Sequence, residues 1–269
     1  MPRLKLTALG SSFAAGPSID PIINEAAKRS GRNYAHQLAH LLGADVTDLT
    51  VSGATLVNVL DTPQETLLPR HVFPPQLDGL PSDTDIVTLT GGGNDMGYSF
   101  GMLHDSMASH GQEMVDLLNS WVAHPAAPVQ GQALVDRFVA VLDKIHSIAP
   151  QAKVYLVQYL SIFGSASKPG TAEIPLTEKQ IAQYKQTAKD LDQVYEKAAA
   201  ARAEFTELVP AAKLSEGHEV GTAEPWMLGF DLDALWKGVI PYHPNLAGHT
   251  AVAAELAKRI KAVGNTGSG

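Results

Sequence analysis

The chain has 269 residues, 28 acidic against 20 basic side chains, 45% hydrophobic residues and no cysteine. Such a composition supports a full apolar core and carries too little charge for disorder. The absence of thiols excludes disulfide scaffolds, thiolate zinc sites, iron–sulfur clusters and a cysteine nucleophile, so covalent chemistry falls to oxygen or nitrogen.

In chain order, Leu4 to Leu9 is a short apolar run ended by Gly10 and predicts a first strand. Tyr34 to Leu42 carries apolar residues at helical spacing and stops at the breaker Gly43. Val46 to Val51 alternates like a strand and is followed by Gly53; Asp85 to Thr90 is a compact strand closed by a glycine triplet. Gln132 to Ile148 predicts an amphipathic helix ending before Ala149-Pro150. Lys153 to Leu160, rich in β-branched and aromatic residues, predicts a strand. A long helix from about Thr177 to Ala203, a last strand at Thr206 to Val209 and a closing helix from Leu246 to Val263 complete the pattern, and the tail from Gly264 reads as disordered.

Strands separated by helices imply right-handed crossovers and a mostly parallel sheet covered on both faces. The expectation is a three-layer α/β/α sandwich with a flavodoxin-like central sheet, built as one domain over residues 1–263. Two segments near 95–131 and 163–174 fit no core element. They read as insertions at the carboxyl ends of strands, suited to a lid or substrate wall. The net charge of −8 and the lack of a basic run disfavour nucleic acid and anionic membrane surfaces as partners. No stretch reaches the roughly 20 apolar residues of a membrane span, and the first residues lack the apolar core of a signal peptide. This predicts a cytoplasmic protein or the mature form of a secreted one. Oligomeric state leaves no mark in the sequence.

Three glycine-punctuated turns follow three predicted strands, so they converge on one sheet edge. In the first, Gly10-Ser11-Ser12, a serine opening a helix either caps it or presents its hydroxyl at the edge. In the second, Ser52-Gly53-Ala54, the glycine permits a positive φ or the close approach of a bound group, and a plain strand-to-helix turn serves as well. The third, Gly91-Gly92-Gly93-Asn94-Asp95, adds a neutral amide donor suited to a developing oxyanion. It lacks the Lys-Ser or Lys-Thr of a phosphate-binding loop. Near the carboxyl terminus His243 stands before Pro244, which biases it away from helical geometry, and before the helix-capping Asn245.

In this order the four segments resemble the SGNH hydrolases, also called the GDSL esterase/lipase family. The matches are Gly10-Ser11-Ser12, Gly53, Gly93-Asn94-Asp95 and His243-Pro244-Asn245. The resemblance implies a serine hydrolase of carboxylic esters, acting on a small-molecule ester without cofactor or metal. Ser12 is then the nucleophile and His243 the general base. The Ser12 N–H, the Gly53 N–H and the Asn94 side chain form the oxyanion hole. Two positions depart from the family pattern: Ser11 stands where an Asp is usual, and Ile240 stands where the acid that orients the histidine is usual.

An aliphatic side chain cannot accept the imidazole N–H. The acceptor expected here is a backbone carbonyl near Ile240, with Asp231, Asp233 and Glu224 as more distant carboxylates. A carbonyl fixes the tautomer but stabilises an imidazolium less than a carboxylate does. Activity is expected to fall as the pH drops through an ordinary imidazole pKa near ~6.5. The alternative is a binding protein of the same fold whose chemistry has weakened. His36 and His40, four apart on a helix, read as ordinary histidines, since no third ligand accompanies them. Asp95 reads as a brace for its own loop. Trp226, Met227, Phe230 and Trp236 are candidates for lining an acyl pocket or for packing the last loop.

Overall fold

Five apolar segments pair side by side as parallel strands in the computed structural model, which describes residues 3–67, 69–121 and 127–266. The strands are β1 (Lys5–Gly10), β2 (Ile22–Asn24), β3 (Arg29–Ser30), β4 (Asp45–Asp48), β5 (Gln64–Leu67), β6 (Arg70–Phe73), β7 (Ile86–Thr90), β8 (Lys153–Val157) and β9 (Thr206–Val209). The helices are α1 (Ser12–Ala15), α2 (Tyr34–Leu42), α3 (Leu56–Leu60), α4 (Tyr98–Ala108), α5 (Gln112–Trp121), α6 (Gly131–Ile148), α7 (Glu178–Ala201), α8 (Ala211–Leu214), α9 (Leu232–Trp236) and α10 (Leu246–Thr266).

The central sheet has the order β4-β1-β7-β8-β9, and every pairing in it is parallel. Counted within this sheet, the order is second, first, third, fourth, fifth, the flavodoxin-like arrangement. On one face α2 packs against α10; α6 packs against α3 and α7 in the other layer. The apolar core connects Leu6 on β1 through Leu89, Phe138 and Leu156 to Ala257 on α10. Because β4 and β7 lie on opposite sides of β1, the chain reverses its direction of travel across the sheet there. The crevice above the carboxyl ends of β1 and β7 is where such folds bind ligands.

Local chemistry accounts for where elements stop. Strand β4 ends at Asp48, whose Oδ1 accepts from both the N–H and the hydroxyl of Thr50, although the Leu49 and Val51 N–H groups still reach Ala8 O and Gly10 O of β1. The strand expected over Val46 to Val51 is therefore shorter. Likewise β8 ends at Val157. Tyr159 and Leu160 turn into the core, and the Ser161 N–H is taken by the Ser215 hydroxyl at 2.8 Å. Asn33 caps α2 through the Ala35 and His36 N–H groups, and Gly43 closes it in the left-handed conformation.

Residues 95–131 contain α4 and α5, so much of that expected insertion is helical. At the carboxyl end α10 runs on through Thr266, including Gly264 and Asn265, which the sequence reading placed in a disordered tail. One glycine costs a helix only about 1 kcal/mol relative to alanine. Residues 267–269 of that tail lie outside the described residues. Among the described residues no helix is long and apolar enough to cross a membrane.

Candidate active site

The first glycine turn is shaped by a backbone that no other residue would tolerate. Gly10, at φ 132°, ends β1, and a Cβ there would overlap the carbonyl of Thr90 on β7. That same carbonyl accepts the Ser11 N–H at 2.9 Å. The Gln76 side-chain amide pairs with both the N–H and the carbonyl of Gly10, at 2.8 and 2.9 Å, and fixes the peptide two residues before Ser12. Ser12 opens α1, so its N–H has no carbonyl one turn earlier to bond. Ser11 turns its hydroxyl toward the phenol of Tyr159, 2.9 Å away. Tyr159 also stacks on Phe13, with ring centroids 3.9 Å apart, and lies so close to Gly93 that a Cβ there would sit 2.6 Å from its ring. One tyrosine thus ties the first turn to the third.

His243 reaches this turn from the far end of the chain. Its Nε2 lies 2.8 Å from Ser12 Oγ, and its Nδ1 lies 2.8 Å from the carbonyl of Pro241. A carbonyl only accepts, so Nδ1 carries the proton and Nε2 is free to accept the serine hydroxyl's. The orienting carbonyl is that of Pro241, not of Ile240. Ile240 instead donates its N–H to the Ser18 hydroxyl at 2.9 Å. The displacement follows from Tyr242, whose φ of 59° folds the chain back and turns the Pro241 carbonyl onto the ring two residues later. A short ladder holds this loop, with Tyr242 N–H donating to Leu228 O and Leu228 N–H to His243 O, at 2.8 and 2.9 Å. None of the carboxylates weighed as acceptors is bonded to the imidazole. Asp231 caps α9 through the Ala234 N–H, and both it and Asp233 line a groove described below.

Burial is the larger influence on the imidazole and lowers its pKa to about 4, against a smaller upward pull from the Pro241 carbonyl. The ring therefore stays neutral well below the ordinary value near 6.5, and the expected loss of activity around that pH moves downward. Ser12 and His243 are each 5% exposed, so both meet a low-dielectric surrounding in which hydrogen bonds to a developing charge are strong.

The remaining donors lie on the second and third turns. Gly53, at φ 84°, makes no hydrogen bond through its N–H among the described residues. Asn94 donates one amide hydrogen to Ala54 O at 2.9 Å, which locks its side chain against the Gly53 turn and leaves the other hydrogen available. Asp95 braces the arrangement. Its carboxylate accepts the Leu56 N–H at the start of α3 at 2.9 Å and pairs with Arg137 of α6 at 2.8 Å.

The other singled-out residues lie apart from this cluster. His36 faces Asp48 at 3.3 Å, and His40 is exposed. Trp226 stacks on His218 with centroids 3.9 Å apart, and Met227 is buried beside the His243 loop, bridged to Pro244. Phe230 lines a groove of about 1140 Å³, whose walls are Ser109 and His110, residues 169–173 and 175–177, residues 228–234 and Val239. Both expected insertions contribute to that groove, and neither Ser12 nor His243 does. Trp236 is 45% exposed. Sequence reasoning did not find Gln76, Tyr159 or Pro241. Nothing local marks them, since each acts through a contact made only on folding.

With a serine, an imidazole and amide donors gathered at the switch point of the sheet, comparison with known proteins settles the lineage. The model of the GDSL-like lipase/acylhydrolase family matches residues 8–251. The chain belongs to this family. It is a carboxylic ester hydrolase of the serine type. Lipase 2 of Streptomyces coelicolor is 28% identical over 272 residues, covering 94% of this chain and 84% of that protein. A lipase of Streptomyces rimosus is 27% identical, covering 93% and 85%. Among solved structures, phospholipase A1 from Streptomyces albidoflavus superposes with a TM-score of 0.72 at 22% identity, covering 97% of this chain and all of that one. At that identity the match speaks for the fold. The matched range spans all four turns described above, and the two positions that depart from the expected pattern, Ser11 and Ile240, each make a hydrogen bond, to the Tyr159 phenol and to the Ser18 hydroxyl.

Proposed function

We propose that Ser12 is the nucleophile and His243 the general base of an acyl-enzyme mechanism, with the Ser12 and Gly53 N–H groups and the Asn94 amide as the oxyanion hole. The observation that carries this reading is the 2.8 Å contact between two groups 231 positions apart, His243 Nε2 and Ser12 Oγ. The imidazole takes the hydroxyl proton as Oγ attacks the ester carbonyl. The negative charge on the carbonyl oxygen falls among the three donors, and the imidazolium returns its proton to the departing alcohol. Water, activated by the same imidazole, then releases the acid. The Pro241 carbonyl holds the tautomer and ring orientation that both steps need, without the charge a carboxylate would set against the imidazolium. The base is therefore weaker than in a full triad.

Residues 1–263 serve this chemistry as one domain, because nucleophile and base come from opposite ends of the chain. We assign the protein to the secreted option, on its likeness to the Streptomyces rimosus lipase described as extracellular. The weakened-binder alternative is disfavoured by an intact nucleophile–base contact. Hydrolysis of p-nitrophenyl esters of increasing acyl length tests the proposal. Wild type turns over at least one of them, and Ser12→Ala lowers kcat by at least ~10³-fold. Equal turnover by the two proteins contradicts it.

A further inference from the structure

Ser18 sits three residues beyond the helix of the nucleophile and holds a backbone conformation that serine avoids, φ 69°. Among the described residues three non-glycine positions have positive φ: Ser18, Lys28 and Tyr242. Two of the three belong to the loops that bring Ser12 and His243 together. Strain of this kind persists where surrounding bonds over-determine it, and it gathers at functional sites.

The bonds at Ser18 are specific. Its Oγ accepts the Ile240 N–H at 2.9 Å and donates to the Gly238 carbonyl at 3.3 Å. One hydroxyl thus grips the loop of the base on both sides, across 222 and 220 positions of sequence. The other fastenings of that loop, among them the Leu228 ladder, the Val239 N–H on Ala234 O, the Asn245 N–H on Trp226 O and the Tyr242 phenol on Ser106, lead away from the nucleophile. Among the described residues the Ser18 bridge and the Ser12–His243 contact itself are the polar links between residues 10–18 and residues 238–245. On the near side the connection is short: the Gly16 N–H bonds back to Ser12 O at 3.0 Å, and Pro17 stiffens the step to Ser18.

We propose that Ser18 is a positioning residue, whose hydroxyl fastens the loop after the nucleophile to the loop that carries the base and so sets the reach of His243 to Ser12. Fixing the Ile240 N–H anchors the start of the turn in which Pro241 presents its carbonyl to the ring and Tyr242 reverses the chain. This inference rests on Ser12 and His243 being the reacting pair.

The test compares wild type, Ser18→Gly, Ser18→Ala and Ser12→Ala on one soluble p-nitrophenyl ester, with Tm measured alongside. Glycine removes the hydroxyl and relieves the positive φ; alanine removes the hydroxyl alone. Loss of alignment without loss of fold predicts that Ser18→Gly lowers kcat about tenfold with KM within about twofold of wild type and Tm unchanged or raised. It also predicts that the downfield proton resonance of the His243 Nδ1–H shifts. Retention of wild-type kcat by Ser18→Gly overturns the inference, and so does a fall in kcat matched by a fall in Tm in both variants. A wild-type protein no faster than Ser12→Ala overturns the underlying assignment of the reacting pair, and this inference with it.

Discussion

At His243, burial and hydrogen bonding pull in opposite directions. Burial lowers the imidazole pKa and the Pro241 carbonyl raises it, leaving it at about 4. A base must be neutral to accept the serine proton, so activity is present above that value and is lost as the pH falls through it. A profile of kcat/KM against pH therefore has its acid limb near 4, and a limb near 6.5 would contradict this account of the site. Asn94 permits a second test at this scale. With one amide hydrogen held by Ala54, the other is the donor assigned to the oxyanion in the proposed mechanism. Asn94→Ala is expected to lower kcat by about 10²-fold with little change in KM, as steady-state kinetics would show. What the sequence offered here was candidate side chains, not their contacts. Ser12, Asn94 and His243 stand out because their side chains carry chemistry. The Pro241 carbonyl does not, because every residue has one, and only the left-handed turn at Tyr242, unexpected for a tyrosine, selects it.

Elements hold these groups through a few buried polar braces. Asp95 joins the start of α3 to α6, and its carboxylate is buried, which raises its pKa despite bonds from the Leu56 N–H and Arg137. Removing its charge leaves a donor without a full partner. Asp95→Asn is expected to destabilise the fold by about 1–3 kcal/mol and to reduce activity, because Asn94 is the adjacent residue; urea unfolding measures the first effect. The strands β1, β7, β8 and β9 and the helices α2, α6 and α7 were legible from apolar periodicity, a local property. The short hairpins β2–β3 and β5–β6 were not. These short strands lie outside the central sheet, and their placement depends on contacts such as Ala27 O with the Ser52 N–H and Gln64 with Ser52 O. Of the helices within residues 95–131, α4 is weakly amphipathic and interrupted by Gly101, and α5 is short and stands directly after Gly111.

The whole molecule joins its two ends at the site, and proton binding reports on that closure. His249, on α10, accepts the Tyr34 N–H through Nδ1 at 3.0 Å and is 1% exposed. Burial lowers its pKa to about 3, with His243 adding a smaller push in the same direction. Both histidines ordinarily titrate near 6.5, so below that pH the unfolded chain binds protons that the folded chain refuses. Their contribution to stability is thus complete above about 6.5 and declines as the pH falls toward 4 and then 3. His249→Asn keeps an acceptor for Tyr34 without the titration. It is expected to make Tm fall less steeply than wild type between these pH values in thermal melts; parallel curves would contradict the assignment.

The central claim, that Ser12 is a hydroxyl activated by His243, is tested most directly by the mass of the intact protein after incubation with a fluorophosphonate. The account predicts one adduct on wild type, carried by Ser12, no adduct on Ser12→Ala and much slower labelling of His243→Ala. An unmodified wild-type protein, or an adduct that persists in Ser12→Ala, would contradict it.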